Sequence, residues 1–159
     1  RAAPKRQQVD LCKVLRQTLD IFAAGLKESN VSVSVELPDE VPLLWGDPSQ
    51  LKQVFLNICQ NALQAMPEGG ALGVEVNLRG GRVQVVIEDT GKGIPENLKE
   101  KIFQPFFTTR THGTGLGLSL AQHIIEDHGG TITLESELGQ GTRAIIELPI
   151  QNELTQGEH

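Results

Sequence analysis

Two stretches of this chain carry apolar residues at every second position on both sides of a glycine-bearing turn, which points to antiparallel sheet. In the first, residues 72–78 and 83–88 flank Arg79-Gly80-Gly81-Arg82, a hairpin sequence. In the second, residues 131–136 and 143–148 close around Gly139-Gln140-Gly141. Such alternation gives each strand one apolar face, which other elements must cover. Three segments with helical spacing can do so. Leu11, Val14, Leu15, Leu19, Phe22 and Leu26 form an apolar stripe behind Asp10, a candidate N-cap, and this helix should fade near Ser29-Asn30. Asp47-Pro48 reads as an N-cap followed by proline at the first helical position. The helix it opens should reach about Met66, where Pro67-Glu68-Gly69-Gly70 stops it. A third helix should start about Leu116 and end at Gly129-Gly130.

Two shorter strands are expected. Val31, Val33 and Val35 alternate with Ser32, Ser34 and Glu36, and Leu43-Leu44-Trp45 lies between prolines and the second helix. Residues 89–116 are rich in Gly, Pro and Thr, with a short helical stretch near 96–102. Residues 1–8 read as a polar, basic linker, 9–150 as one domain, and 151–159 as a polar tail. The expected class is α+β: one largely antiparallel sheet with helices on one face.

Length and composition narrow the function. The chain has 159 residues, of which 38% are hydrophobic, enough for one core. A net charge of −6 argues against nucleic acid or an anionic membrane surface as partner. It leaves anionic ligands open, because a helix N-terminus binds phosphate without net basic charge. Cys12 and Cys59 lie far apart and outside any metal-type spacing, so a reducing, cytoplasmic setting is expected. No apolar run approaches the ~20 residues of a membrane span.

Three constellations carry chemistry. On the helix expected over 47–66, Asn57 and Asn61 stand four residues apart on the margin of the apolar arc, where they would be partly buried. A buried amide needs partners, and its oxygen is a hard ligand suited to magnesium. Alone, the pair reads better as one polar helix residue and one amide bonding nearby backbone. Next, Val83, Val85 and Ile87 deliver Asp89 to the end of a buried strand, followed by Gly91 and Gly93. There a carboxylate can accept from an exocyclic amino group, and the glycines allow a tight turn or close approach to a ligand. Alone, this is also an ordinary Asp-Gly loop. Third, Gly113-Thr114-Gly115-Leu116-Gly117-Leu118-Ser119 runs into a helix, placing open N–H groups and the positive dipole end where an anion can sit. No Gly-Lys-Ser/Thr follows, so it is not a P-loop. Asp89 precedes the glycines rather than following them, so it is not a dinucleotide fingerprint.

Taken together, an Asn-bearing helix, D-x-G-x-G, an aromatic segment and G-x-G-x-G at a helix start resemble the catalytic domain of histidine kinases. That family lies within the ATPase superfamily shared with DNA gyrase, the mismatch-repair MutL proteins and a heat-shock chaperone. The resemblance spans about residues 8–150. The stretch from Ile102 through Phe103, Gln104, Pro105, Phe106, Phe107, Thr108 and Thr109 to Arg110 looks like the family's phenylalanine box, closest to nitrogen-regulator sensor kinases. The resemblance implies a two-layer sandwich of the Bergerat type: a mixed, mostly antiparallel sheet, about three helices on one face, and a flexible ATP lid.

It also implies roles. Asn61 would hold the magnesium ion that bridges the ATP phosphates. Asp89 would bond the adenine amino group, with Gly91, Gly93 and Ile94 passing close to the base. Thr142 would support adenine recognition. Thr109, Arg110, Gly113, Thr114, Gly115, Leu116 and Gly117 would form the phosphate-facing part of the lid, and Phe103, Phe106 and Phe107 would anchor it to the core or to a partner helix. Asn57, Asn61 and Arg110 are the residues implied in catalysis. Lys92 reads as solvent-facing, Gln60 beside Asn61 stands at a position variable in the family and is assigned only a weak polar contact, and His112 stands where the family commonly has glycine. Gyrase-like and chaperone-like relatives carry a glutamate at the position of Asn57, and an amide cannot act as a general base. The implied activity is therefore phosphoryl transfer from Mg-ATP to a histidine on a dimerisation domain, feeding a response regulator, within a homodimeric parent protein whose membrane attachment is left open. His112, His123, His128 and His159 all lack the family's acceptor setting. A serine protein kinase of the same superfamily and a hydrolysing ATPase module are the alternatives.

Overall fold

The structure, a computed structural model, describes residues 5–98, 101 and 117–150. Its elements are β1 (Gln7–Val9), α1 (Leu11–Glu28), β2 (Val31–Glu36), β3 (Leu44–Gly46), α2 (Pro48–Gln64), β4 (Gly70–Arg79), β5 (Arg82–Asp89), a 3-10 turn (Glu96–Leu98), α3 (Gly117–Asp127), β6 (Thr131–Glu137) and β7 (Gly141–Pro149). Five strands form one sheet in the order β2-β4-β5-β7-β6, and β1 and β3 make a separate antiparallel pair. All neighbours in the main sheet are antiparallel except β2 and β4, which run parallel with Val33 beside Leu72. Only a long crossover permits a parallel pair, and here it runs through β3 and α2. This is the mixed, mostly antiparallel sheet with three helices that the sequence implies.

The local signals act as expected. Asp10 caps α1 by accepting the Lys13 N–H at 3.1 Å, and Asp47 caps α2 by accepting the Ser49 and Gln50 N–H groups at 2.9 and 3.2 Å. Each such cap contributes about 1 kcal/mol. Asn30 ends α1 with φ +59°, a left-handed conformation that asparagine tolerates. Gly80 and Gly81 both take positive φ, as a two-residue hairpin turn between twisted strands requires.

One face of the sheet builds the core. Leu72, Val74 and Val76 on β4, Val83, Val85 and Ile87 on β5, and Ala144, Ile146 and Leu148 on β7 join the buried stripes of α1, α2 and α3 around Phe55. The alternate positions Gln84, Glu88, Arg143 and Glu147 are exposed or half-buried, so the opposite face is polar. Val86 alone among those β5 positions is buried there, outside the core cluster.

Several boundaries differ from the sequence reading, among them the start of β7, which takes in Gly141 and Thr142 ahead of the expected Arg143. The linker does not extend to residue 8: Gln7 and Gln8 pair with Gly46 and Trp45. Lys5 N–H donates to the Asp47 carboxylate at 2.8 Å and Arg6 to the Asp127 carbonyl at 2.8 Å, so this segment is tied to the domain. Helix α2 closes at Gln64, not Met66, because the Ala65 carbonyl accepts the Lys92 N–H from a distant loop at 3.1 Å. Strand β4 starts at Gly70, two residues early, because Thr90 holds Ala71 through a 3.2 Å backbone bond and its hydroxyl. Of the helical stretch expected over 96–102, the described part is one 3-10 turn.

A buried histidine joins the far ends of α2 and α3. His128 donates from Nδ1 to the Ile124 carbonyl at 2.8 Å and accepts the Asp47 N–H at Nε2 at 3.1 Å. Accepting at Nε2 requires the neutral ring, with its proton on Nδ1. Its ring lies against Gly46, where a Cβ would sit 2.8 Å from Cδ2. Burial lowers its pKa below 6.5, and the Arg6 charge adds to this, while the Ile124 bond and the Asp47 and Asp127 carboxylates oppose it. A depressed histidine pKa means that the unfolded chain takes up the proton first, at about pH 6.5. The stabilising contribution is therefore complete above that pH and is lost as pH falls through the lower folded-state value. Thermal melts between pH 8 and pH 5 should show a smaller acid-induced fall in Tm for His128→Gln than for the unmodified chain. Parallel falls would remove His128 from the account.

Candidate functional site

The site forms where α2 ends, β5 ends and the β6–β7 hairpin turns. Alternation along β5 turns Val83, Val85, Ile87 and then Asp89 toward the helices, so the carboxylate arrives at the edge of the core only 6% exposed. Gly91 N–H donates to Asp89 Oδ1 at 2.8 Å, and the Thr142 N–H also bonds the carboxylate. Burial nevertheless raises the Asp89 pKa above its ordinary value. The two N–H bonds oppose the shift, and neighbouring Glu88 adds to it. A buried aspartate held against its own solvation is a candidate binding group.

The loop after Asp89 is pinned on both sides. On one side, Ala65 at the end of α2 accepts Lys92 N–H, and Gly91 lies so close that a Cβ would come within 2.5 Å of the Ala65 carbonyl oxygen. On the other, Gly139 N–H donates to the Lys92 carbonyl at 2.7 Å, and Gly93, with φ +74°, faces the Glu137 carbonyl. Ile94 N–H donates to Ser136 Oγ at 2.8 Å. Only glycine permits these approaches.

The structure thus brings Asp89, Gly91, Gly93, Ile94 and Thr142 together. Asp89 pairs with Thr142 across β5 and β7, and Thr142 pairs with Ser136 across β7 and β6. Asn61 lies on α2 one turn before Ala65, and the Ala65 N–H donates to its carbonyl at 3.0 Å. Both Asn61 and Asn57 are half-buried, as their place on the helix margin implies, and Gln53 Nε2 donates to Asn57 Oδ1 at 2.8 Å. Lys92 and Gln60 are exposed. Gly117 is the first residue of α3, so the glycine-rich sequence does run into a helix N-terminus. Thr109, Arg110, Gly113, Thr114, Gly115 and Leu116, with Phe103, Phe106, Phe107 and His112, lie outside the described residues.

Ser136 was missing from the sequence reading. It is 8% exposed and bonds the Gly141 carbonyl and the Thr142 hydroxyl as well as Ile94. Its place in a strand ending Leu134-Glu135-Ser136 gave one available signal, a serine on the face that should be apolar.

Asn61 fits a magnesium role in one respect: its amide oxygen is a hard ligand on the helix turn that precedes the contact with the loop carrying Asp89.

The chain resembles known proteins over most of its length. Residues 46–152 match the family described as histidine kinase-, DNA gyrase B- and HSP90-like ATPases. Sporulation kinase E of Bacillus subtilis is 39% identical over 146 residues, covering 91% of this chain and 20% of its own length. The catalytic domain of histidine kinase ThkA superposes with a TM-score of 0.84 at 37% identity, covering 92% of this chain and 96% of that one. The same kinase in complex with response regulator protein TrrA gives 0.79 at 35% identity, covering 92% and 42% of the two chains. The chain spans from 20% to 31% of the length of the first curated relatives it matches.

Proposed function

The chain belongs to the histidine kinase-, DNA gyrase B- and HSP90-like ATPase family, as a catalytic domain of sensor histidine kinase type, and from that premise we propose that it binds Mg-ATP and passes the γ-phosphoryl group to a histidine on a dimerisation domain. The observation that carries the adenine half is the buried Asp89 carboxylate at the end of β5, in line with Thr142. Asp89 accepts from the exocyclic amino group. The loop through Gly91, Gly93 and Ile94 lies along the base because glycine lets the backbone come close. Asn61 holds the magnesium ion, which when bound neutralises phosphate charge and orients the γ-phosphoryl group. Asn57 offers an amide where hydrolysis would need a base, so bound ATP survives until an acceptor arrives. The α3 N-terminus at Gly117 points partial positive charge at the phosphates, and the preceding glycines with Thr109 and Arg110 complete the phosphate site.

The acceptor comes from elsewhere. His128 is buried with both ring nitrogens engaged, which removes it as a nucleophile. No helix among the described residues is long and apolar enough to cross a membrane. A response regulator is the onward partner, in keeping with the TrrA complex of ThkA.

Radiolabelled ATP given to the chain alone should leave it unlabelled, whereas addition of a separately made dimerisation domain should transfer label to that domain's histidine. Strong labelling of the chain alone overturns the proposal. Asn61→Ala should raise the magnesium concentration needed for half-maximal ATP binding by about tenfold or more. A magnesium titration identical to that of the unmodified chain would remove Asn61 from the metal site.

A further inference from the structure

Asp89, Thr142 and Ser136 lie side by side on three neighbouring strands, and the heavy-atom contacts of the row favour one placement of its protons. Ser136 Oγ has three partners. It donates to the Gly141 carbonyl at 2.8 Å, it accepts the Ile94 N–H at 2.8 Å, and it lies 2.9 Å from Thr142 Oγ1. A hydroxyl has one proton and two lone pairs. The Ser136 proton is committed to Gly141, so in the contact with Thr142 the threonine must donate. Both lone pairs of Ser136 are then occupied, and every capacity of this buried group is used.

The consequence falls on Thr142. Its single proton points at Ser136, away from Asp89. Thr142 is half-buried while Ser136 is buried, so the Thr142 oxygen is the one of the two that meets a ligand, and it meets it with lone pairs only. The neighbouring carboxylate likewise only accepts. We propose that Ser136 is a positioning residue for base selection: by holding the Thr142 proton it turns the Asp89–Thr142 edge into two acceptors, which admit a 6-amino purine and reject a 6-oxo purine. The inference rests on the adenine reading of Asp89. An amino group, or a water donating to both residues, satisfies this edge. A carbonyl oxygen there faces lone pairs with no proton to share, and an unmatched buried polar group weakens binding about fivefold or more.

Ser136→Ala releases the Thr142 proton, which can then turn toward a carbonyl, and it leaves the Ile94 N–H without its partner. Calorimetry with ATP and with inosine triphosphate, which replaces the 6-amino group by a 6-oxo group, reads both effects. ATP should bind several-fold more weakly to the variant, and the ATP-to-inosine-triphosphate affinity ratio should fall by about tenfold. Weaker binding of both with the ratio unchanged would mean that Ser136 serves only the fold, and would overturn the proposal. Thr142→Val provides a second route if Ser136→Ala does not melt cooperatively. It keeps the Ser136 bonds to Ile94 and Gly141 and removes the facing lone pairs, so its ratio should also fall, without the gain in inosine triphosphate affinity. An unchanged ratio in Thr142→Val overturns the inference equally. Failure of the adenine reading looks different: the unmodified chain would then bind the two nucleotides alike.

Discussion

Asp89→Asn should weaken ATP binding by about a hundredfold while leaving the ligand-free domain as stable at pH 7 as before, or more so. The loss follows from donor meeting donor. The asparagine oxygen can keep the Gly91 N–H bond made by Asp89 Oδ1, which leaves its NH2 group facing the purine amino group. Losing a buried hydrogen bond and leaving its donor unpaired costs about 1–3 kcal/mol, more where a charge took part, and each 1.4 kcal/mol is tenfold in affinity. The stability side follows from the raised pKa, which burial causes first. A carboxyl whose folded-state pKa lies above its unfolded value stabilises the fold when protonated. That contribution is present at low pH and lost as pH rises through the folded value, so at neutral pH the ionised side chain is a burden. The amide removes the burden. On the proposed function, the fold alone would accept asparagine here and only nucleotide binding would require aspartate. Calorimetry for ATP and a thermal melt without it test the two halves. Unchanged ATP affinity would sink the binding role, and a lower Tm at pH 7 would show that the carboxylate serves the fold instead.

Gly93→Ala should damage both stability and binding. Gly93 has φ +74°, and its missing Cβ would overlap the Glu137 carbonyl oxygen. The positive φ costs a non-glycine residue about 1–2 kcal/mol. The overlap adds to that, because the obstacle is backbone and no rotamer change relieves it. The loop cannot retreat without breaking the Lys92, Gly139 and Ile94 bonds that hold it between α2 and the β6–β7 turn. Tm should fall by roughly 5 °C or more. ATP binding should fall with it, because the loop carries Asp89 at its start. Gly139→Ala is the matched control. Gly139 has φ +81° but nothing near its Cβ position, so only the dihedral cost applies. Equal effects of the two substitutions on Tm and on ATP affinity would show that the close approach at Gly93 is not what the loop depends on.

The contrast between these glycines shows what could be read before the fold was known. Gly80 and Gly81 announce their turn in sequence, because a hairpin is a contact between near neighbours and its twist demands positive φ. The caps Asp10 and Asp47 announce theirs for the same reason. Gly93 and Gly139 have similar φ, +74° and +81°, yet only Gly93 faces a strand that lies more than forty positions onward, and no local pattern separates them. Gln7 and Gln8 of strand β1 read as linker because their partner, β3, lies thirty-five or more residues away and three residues carry too little periodicity to be recognised. The place of Asn57 and Asn61 on the margin of α2 was legible from helical spacing alone. That Asn61 sits one turn from the Asp89 loop was not.

By itself the sequence determined the strands of the main sheet and the three helices, the caps Asp10 and Asp47, the hairpin turn at Gly80-Gly81, the inward faces of β4, β5 and β7, and the presence of Asp89 and the glycines at a strand end, whereas Val33 and Val35 of the alternating edge strand β2 stay exposed. All of these arise from chemistry within about one turn or one hairpin of the residue concerned. Tertiary structure decided the parallel edge of β2, the pairing of β1 with β3, the neutral His128 between α2 and α3, and the alignment of Asp89, Thr142 and Ser136. Each of these depends on which groups are left to satisfy one another once the core has closed, and a buried hydrogen bond is set by the partners that packing delivers rather than by sequence neighbours.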